Sequence, residues 1–445
     1  MIPQVIPTGA YHEVGVDQLF FSTTDTKGII ELCNDVFVEL SRYQRNELIA
    51  APHNIIRHPD MPAGAFAIMW EQLTQGRSFA GYVRNLGKDG SAYEVYALVT
   101  PLPDGSGYLS VRQRPSVEEL ANQAWDLYDG VRELEAENYE AGANRREIAD
   151  TGRNHLVGQL QAAGFQDFTA YQEAVLPQEV ATRLARSGGI PQRSQSQGTW
   201  ADCLLAIQKV HHTLEQWISE FARLLATTKD LDAAQQHLQA TMEHARRTRA
   251  MMQEHSHNPA MLFFSFKLGV WVSMRTVMDR QVESMTTLLA ELNAQTSHAR
   301  YMVAVARLQT VVFAQYCAEL IDGAETETSV AAVEVLQASM QHHIREVLNA
   351  AQERTQVMQH IVAKVDSLNK LLESPQELLR YALEDPAVAG GEHADVVQMV
   401  HTIVAETDAC SAELAAVATE LAQAPALPDA AQVRSALEQL ASVIQ

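Results

Sequence analysis

The first quarter of the chain alternates short apolar runs with turn sequences. The runs QLFFST and GIIELC flank the turn TDTKG, and SFAGYVRNL, AYEVYALVTPL and GYLSVRQR are separated by GKDG and PDGSG. Such runs around Gly- and Asp-rich turns are typical of β-hairpins. Between them, NDVFVELS, RNELI and MPAGAFAIMWEQLTQG have the apolar spacing of helices. We therefore predict an α+β domain over residues 18–114, with a five-stranded antiparallel sheet and helices on one face, after an N-terminal cap at residues 1–17.

The pattern changes to helical spacing after residue 114. Ser116 stands three residues before Glu119, which predicts a capping box and a helix start. Apolar stripes then continue for many heptads, the longest of them from Val282 to Leu320 and from Val333 to Leu372. Only Gln337 and Arg354 interrupt the last stripe. Stripes of this length predict a long all-α coiled-coil or helical-bundle region.

Breaks in the apolar pattern divide this helical region. We predict connecting helices at 115–186, a Gly/Ser/Gln-rich linker at 187–199, a long helical hairpin at 200–383 and C-terminal helices at 384–445. Turn-rich segments predict chain reversals at 255–260 and 321–329. Two further segments, 384–393 and 424–430, divide the C-terminal helices.

Charge separates the two regions. The 445-residue chain has a formal charge of −22, of which the first 115 residues carry −3 and the remainder −19. A strongly acidic helical region argues against nucleic-acid binding, which requires clustered Lys and Arg. The densest basic cluster, HARRTR at 244–249, is predicted to be a solvated helix face.

Cysteine spacing and hydropathy indicate in which cellular compartment the protein is expected. The four cysteines lie far apart with no metal-ligand spacing, as expected of a reducing environment. The N-terminus lacks the pattern of a secretory signal. The most apolar segment, 260–274, is too short to span a bilayer and contains Lys267, so we predict a buried helix there. These features predict a cytoplasmic protein without an integral membrane segment.

The stretch HNIIRHPDMP at residues 53–62 combines two histidines, an arginine and an aspartate immediately before the apolar AGAFAIMW. Together with STTDTKGIIELCNDVFVELSRY and GYVRNLGKDGSAYEVYALVTPL, it closely resembles the PAS domain of bacterial aerotaxis receptors. The resemblance covers about residues 15–120. It implies a fold that holds a cofactor between its sheet and its helices, FAD as that cofactor, and the sensing of cellular redox state.

The resemblance also implies which residues hold the cofactor. A flavin requires an apolar slot, an aromatic neighbour and amide partners, and a pyrophosphate requires cationic donors. Arg57 is expected to bind phosphate or ribose, and Trp70 to lie beside the ring. The residues that match the family pattern are Arg57, His58, Asp60, Trp70, the amide candidates Asn34 and Asn85, and the weaker candidate His53.

Structural roles are the alternatives at several of these positions. Trp70 is also compatible with a core aromatic residue, Asn34 with a helix N-cap, and His58 and Asp60 with capping of the turn and of the next helix. Blue-light flavin domains of this fold use a reactive cysteine that PHNIIRHPD lacks, so no covalent photoadduct is expected. Cys33 is predicted to be a small buried residue. Haem, with His53 or His58 as ligand, is the second cofactor candidate.

The helical region departs from the family. Aerotaxis receptors follow the PAS domain with a membrane anchor and a signalling hairpin, and neither the anchor nor the hairpin-tip pattern is found here. The region is either a diverged signalling hairpin or an unrelated bundle. Enzyme motifs are also missing, so a non-enzymatic protein is predicted.

Three functional readings follow from these patterns. The first is a cytoplasmic FAD-binding redox sensor in signal transduction that forms a homodimer, with chemotaxis-type proteins as candidate partners. A ligand-binding PAS module without redox chemistry and a scaffold protein with a PAS docking domain are the two rivals.

Overall fold

The predicted five-stranded antiparallel sheet is confirmed by the computed structural model. Its strand order is β2-β1-β5-β4-β3, and the hairpin turns lie where the sequence predicts them. The structure describes residues 5–254, 257, 259–323, 327–385, 394–424 and 427–444. The strands are β1 (Phe20–Asp25), β2 (Ile30–Cys33), β3 (Phe79–Leu86), β4 (Ala92–Pro101) and β5 (Gly107–Gln113).

Short helices between β2 and β3 cover one face of this sheet. They bury an apolar cluster that includes Phe20, Phe37 and Val95. Cys33 belongs to the same cluster and is fully buried, as predicted. The elements are α1 (Asp35–Ser41), α2 (Arg45–Leu48), a single-turn 3-10 helix (His53–Ile56) and α3 (Ala63–Thr74).

Nine further helices follow the sheet among the described residues. Their bounds are α4 (Glu118–Glu140), α5 (Arg145–Ala162), α6 (Phe168–Arg186), α7 (Thr199–Glu254), α8 (Pro259–Ser273), α9 (Arg275–Ile321), α10 (Glu327–Leu383), α11 (Ala394–Gln423) and α12 (Ala430–Ile444). The predicted reversals fall at the breaks between these helices. Parts of those predicted segments, at 255, 256, 258, 324–326, 386–393 and 425–426, lie outside the described residues.

Two predictions for the helices are corrected. The segment 260–274 was predicted to be a buried helix, but α8 buries only one side: Phe264 and Leu268 are buried, whereas Phe266 is exposed. The predicted capping box at Ser116 is wrong, because α4 begins at Glu118 and has no side-chain cap at its start. Within the described ranges, none of the helices has the length and apolarity needed to cross a membrane.

The chain divides into two compact units. Unit 1 comprises residues 1–218, 298–348 and 428–445, and unit 2 comprises residues 219–297 and 349–427. Unit 1 contains the sheet and its helices, and the elements described in unit 2 are all helices. Unit 2 has its own apolar core, formed by residues such as Leu238, Met285 and Leu368.

The second face of the sheet is also covered, within unit 1. The Ala80 amide donates to Gln172 Oε1 on α6 at 2.9 Å. The Phe21 ring lies edge-on to Tyr316 on α9, with 5.8 Å between ring centroids. Because both faces are packed, every residue of β5 is buried. The sequence predicted helices on one face only, since the covering segments are separated from the strands by many tens of residues.

Candidate functional site

A cavity of about 200 Å³ lies between the sheet and its short helices. Alternate residues of β3 and β5, including Asn85, Ser110 and Arg112, line it from the sheet side. Arg57 and Trp70 line it from the helical side. The two sets meet because side chains on a strand alternate between faces, so every second residue points to the same layer.

The stretch HNIIRHPDMP forms one wall of this cavity. Its first four residues are the 3-10 helix, and the His53 amide donates to the Gly28 carbonyl at 2.8 Å. The backbone of Arg57 then forms an isolated bridge with Asn85 on β3. The stretch is therefore tied to the β1–β2 turn on one side and to β3 on the other, which explains why its polar residues lie beside an enclosed space.

A buried arginine on β5 dominates the electrostatics of the cavity. Arg112 donates to Ser22 Oγ at 3.2 Å and to His53 Nε2 at 2.7 Å. Its guanidinium lies 4.8 Å from the centre of the Phe20 ring. Burial lowers the pKa of Arg112 to about 10, so it remains charged at neutral pH. Both hydrogen-bond partners are uncharged, and the cavity therefore has a net positive wall.

His53 is neutral in this arrangement. Burial, and secondarily the Arg112 charge, lowers the pKa of His53 well below its ordinary value. A neutral imidazole has one nitrogen that accepts a hydrogen bond, which matches the Arg112 donor at Nε2. The Nε2 lone pair is thus occupied by Arg112.

Asn85 supplies an unpaired amide to the cavity. The residue is 3% exposed, and its Nδ2 has no hydrogen-bond partner among the described residues. An unpaired buried donor is destabilising by roughly 1–3 kcal/mol. Because Asn85 lines the cavity, a ligand with an acceptor atom is the simplest partner for this donor.

Trp70 lies at the edge of the cavity rather than in the core. It is 37% exposed, and its ring meets Tyr108 edge-on at 5.7 Å. The indole packs closely over Gly28, where a Cβ would lie 3.3 Å from it and where the φ of +79° favours glycine. The core-aromatic alternative for Trp70 therefore does not describe its environment.

Arg57 is half-buried beside the same helix as Trp70. Its guanidinium lies 4.1 Å from the centre of the Phe66 ring, and Nη2 donates to the Met61 carbonyl at 3.0 Å. Burial lowers the pKa of Arg57. The side chain is held by these contacts at the cavity wall.

The other three predicted residues are not cavity-lining. Asn34 is the N-cap of α1: its Oδ1 accepts from the Phe37 amide at 3.1 Å. His58 is buried, and its Nδ1 accepts from the Asp60 amide at 3.1 Å. Asp60 pairs with Arg132 on α4 at 3.4 Å. The structure gives these residues contacts within the protein, and cofactor roles for them stay predictions.

Sequence reasoning missed several residues that the structure brings to this domain. Arg112 and the exposed Lys27 both line the cavity, although neither belongs to HNIIRHPDMP. Arg112 had one available signal, since it is a cation placed at an inward position of an apolar strand. Lys27 lies in the turn TDTKG, inside a stretch that resembles the receptor family, but it was not selected as a site residue.

A buried glutamate on α6 joins the opposite face of the sheet to the start of α4. Glu179 is 0% exposed. Its carboxylate accepts from Tyr82 Oη at 2.7 Å, from Gln113 Nε2 at 3.4 Å, and from the amides of Ser116 and Val117 at 2.7 and 3.1 Å. It therefore takes the place of the predicted Ser116 cap.

A second glutamate, from α4, likewise accepts hydrogen bonds from backbone amides, here at the start of α3. Glu135 accepts from the amides of Ala63 and Gly64, at 2.8 Å each, at the first turn of α3. A carboxylate there satisfies free helix amides and complements the helix dipole. Two carboxylates from the connecting helices thus fix α3 and α4.

Comparison with known proteins defines this domain. Residues 30–110 match the family model described as the PAS fold, and this part of the chain is a PAS domain.

A relative is the aerotaxis receptor of Escherichia coli (strain K12), which is 45% identical over 108 residues. That match covers 24% of this chain and 21% of the receptor. The helical region of the chain lies outside it.

Two solved structures are also similar to part of the chain. The PAS domain of a protein from Colwellia psychrerythraea is 23% identical and covers 22% of this chain and 85% of its own, with a TM-score of 0.19. A light-oxygen-voltage domain studied with a flavin analogue is 21% identical and covers 24% and 83%, with a TM-score of 0.22.

Proposed function

We propose that this protein is an FAD-binding redox sensor whose PAS domain reports to the helical region that follows it. The observation that carries the proposal is the cavity itself, which combines an unpaired buried amide at Asn85 with the buried charge of Arg112. The 45% identity to an aerotaxis receptor in this segment supports the same reading.

The residues present fit a flavin. Ring carbonyl and nitrogen atoms accept hydrogen bonds, and the cavity offers donors at Asn85 and Arg112 with aromatic side chains at Phe66 and Trp70. A guanidinium has five N–H donors, of which Arg112 uses two in hydrogen bonds to the protein. A haem would require an axial nitrogen, and His53 Nε2 is already occupied by Arg112.

Cavity volume limits how the cofactor is held. About 200 Å³ is below the roughly 300–1,000 Å³ of ordinary ligand pockets, so only part of a dinucleotide fits inside. Exposed Lys27 and half-buried Arg57 line the same cavity, and we assign the phosphates to these two cations. A bound flavin supplies a ring that accepts and releases electrons.

Adjacent residues of β5 connect the cavity to the helices. Arg112 lines the cavity, whereas Gln113, which points to the other face, donates to Glu179. Glu179 in turn accepts the amides that precede α4. A change in what Arg112 binds is therefore transmitted through one strand to the start of α4, and helix packing can respond in two discrete ways.

The helical region and its charge bear on the oligomeric state, the location and the partners of the protein. We propose a homodimer, a cytoplasmic location, a non-enzymatic output and chemotaxis-type signalling proteins as partners, with no nucleic acid. They rest on the stripes of the helical region, its acidic charge and the likeness to the receptor.

The test is the visible spectrum of the purified full chain before and after dithionite, with the released cofactor identified by mass. We expect flavin absorbance that bleaches on reduction, and a released mass of FAD. Asn85→Leu should retain less flavin, whereas Asn46→Leu, at an exposed position on α2, should retain as much as wild type. A colourless protein from riboflavin-rich cells would contradict the proposal and favour the non-redox rivals.

A further inference from the structure

Unit 2 contains a second cavity, which is independent of the PAS domain. It has a volume of about 460 Å³, within the range of small-molecule sites. Helices α7, α10 and α11 supply its walls. Its apolar lining includes Leu224, Met358 and Leu421, all of them buried.

One of the two residues that interrupt the apolar stripe of α10, Arg354, lines this cavity. Arg354 is 3% exposed, and its guanidinium lies 4.9 Å from the centre of the Phe221 ring. Within the described residues it forms no hydrogen bond or ion pair, and its Nη1 is buried without a partner. Burial lowers the pKa of Arg354 to about 10, so the group stays charged at neutral pH.

A buried charge without a partner is strongly destabilising. Among the described residues, none of the acidic side chains that line the cavity, Glu220, Asp230 and Glu420, forms an ion pair or a hydrogen bond with Arg354. Glu220 pairs with Arg223 at 2.7 Å, and Glu420 accepts a hydrogen bond from Thr227 Oγ1 at 3.3 Å. A bound anion is therefore the partner that the Arg354 guanidinium lacks.

The surroundings of Arg354 restrict the kind of anion. Glu220, Asp230 and Glu420 line the cavity and repel a ligand with several negative charges. The apolar walls favour a ligand with a hydrocarbon body. A carboxylate matches the planar donor fork of a guanidinium. We propose that this cavity binds a small organic monocarboxylate, with its carboxylate on Arg354 and its apolar part against Leu224, Met358 and Leu421.

Isothermal titration calorimetry on the purified full chain tests this proposal, with benzoate and hexanoate as probes. We expect saturable binding of at least one probe at one site per chain. Arg354→Met should weaken that binding about tenfold or more, because a charge-assisted hydrogen bond is lost. Arg345→Met should leave it unchanged, since Arg345 is an exposed arginine on the same helix that does not line the cavity.

Two ligand-side controls do not depend on how the variants fold. Benzamide has the shape of benzoate without its charge and should not bind. Inorganic phosphate should bind more weakly than benzoate because of the acidic residues. Equal binding of benzamide or of phosphate, no binding of either carboxylate at millimolar concentration, or full affinity in a folded Arg354→Met protein would each overturn the proposal.

Discussion

Two buried ionisable residues, Arg112 and Glu179, lie on opposite faces of the PAS sheet and have different surroundings. Arg112 on the cavity face makes two hydrogen bonds to uncharged partners and lines an open space. Glu179 on the helix-covered face accepts four hydrogen bonds from the sheet and from the start of α4. One face borders an open cavity, and the other is closed by the protein.

The two faces contribute differently to the stability of the domain. A buried carboxylate that accepts several donors becomes part of the packing, and removing it leaves those donors unpaired. A buried amide without a partner destabilises the ligand-free fold. Replacing Glu179 should therefore lower the free energy of unfolding, whereas replacing Asn85 should raise it in the ligand-free protein.

The largest effect is expected at Glu179. Glu179→Leu leaves the Tyr82 hydroxyl and the amides of Ser116 and Val117 without an acceptor. We expect the free energy of unfolding of unit 1 to fall by about 3–5 kcal/mol. Urea unfolding of the full chain, followed by circular dichroism, measures this loss.

Gln178→Leu is the matched control, because Gln178 is the exposed neighbour of Glu179 on α6. Its unfolding midpoint should stay close to that of wild type. Equal midpoints for the Glu179 variant and wild type would show that the closed face does not depend on this carboxylate.

A smaller effect concerns the titration of the same group. Burial raises the pKa of Glu179 above its ordinary value of 4.5, against the lowering effect of its hydrogen bonds. A raised pKa in the folded state means that the native protein binds the proton more tightly than the unfolded chain. The contribution of this group is therefore full below about pH 4.5 and decreases as pH rises through the folded pKa.

Glu179→Gln removes that titration while it keeps a side chain of the same shape. The difference in unfolding free energy between wild type and this variant should change with pH above about 4.5, with wild type losing relative stability. A difference that is constant from pH 4 to about pH 8 would contradict the raised pKa.

Local patterns in the sequence predicted most of the fold but little of the closed face. Period-two strands and Gly-rich turns are properties of neighbouring residues, so the five strands and their hairpins were predicted correctly. Glu179 and Tyr82 are 97 residues apart, and no local pattern indicates their contact. The incorrect capping box at Ser116 has the same origin, because the group that satisfies those amides comes from α6.

The cavity residues were predicted from the resemblance to the receptor family rather than from hydrophobic periodicity or turn patterns. His53, Arg57, Trp70 and Asn85 line the cavity, and all four were selected by resemblance to the receptor family. Arg112 lies outside the motif and was missed, although it is the buried charge of the cavity. A motif identifies which residues belong together, while the strand alternation that brings Arg112 inward requires the register of β5.

A moderate effect is expected at Asn34, which stabilises the fold without lining the cavity. Its side chain caps α1 and also accepts from the Phe21 amide at 3.1 Å. Asn34→Ala should reduce the free energy of unfolding by about 1–2 kcal/mol. Flavin content per folded molecule should stay unchanged in the same preparation. A loss of flavin without a loss of stability would instead assign Asn34 to the cofactor.

The smallest effect on stability, and the one of opposite sign, is expected at Asn85. Asn85→Leu replaces an unpaired buried amide by an apolar group of similar volume. We expect flavin-free protein to become more stable by up to about 1 kcal/mol, because the desolvation penalty of the amide is removed. Flavin-loaded wild type should in turn be more stable than flavin-loaded variant, since a ligand stabilises the state that binds it. Thermal unfolding of wild type and Asn85→Leu, each with and without flavin, measures both differences in stability. A flavin-free Asn85→Leu protein that is less stable than flavin-free wild type would contradict this prediction. Asn85 would then stabilise the packing of the sheet, as Glu179 does, and the two faces would not differ at this residue.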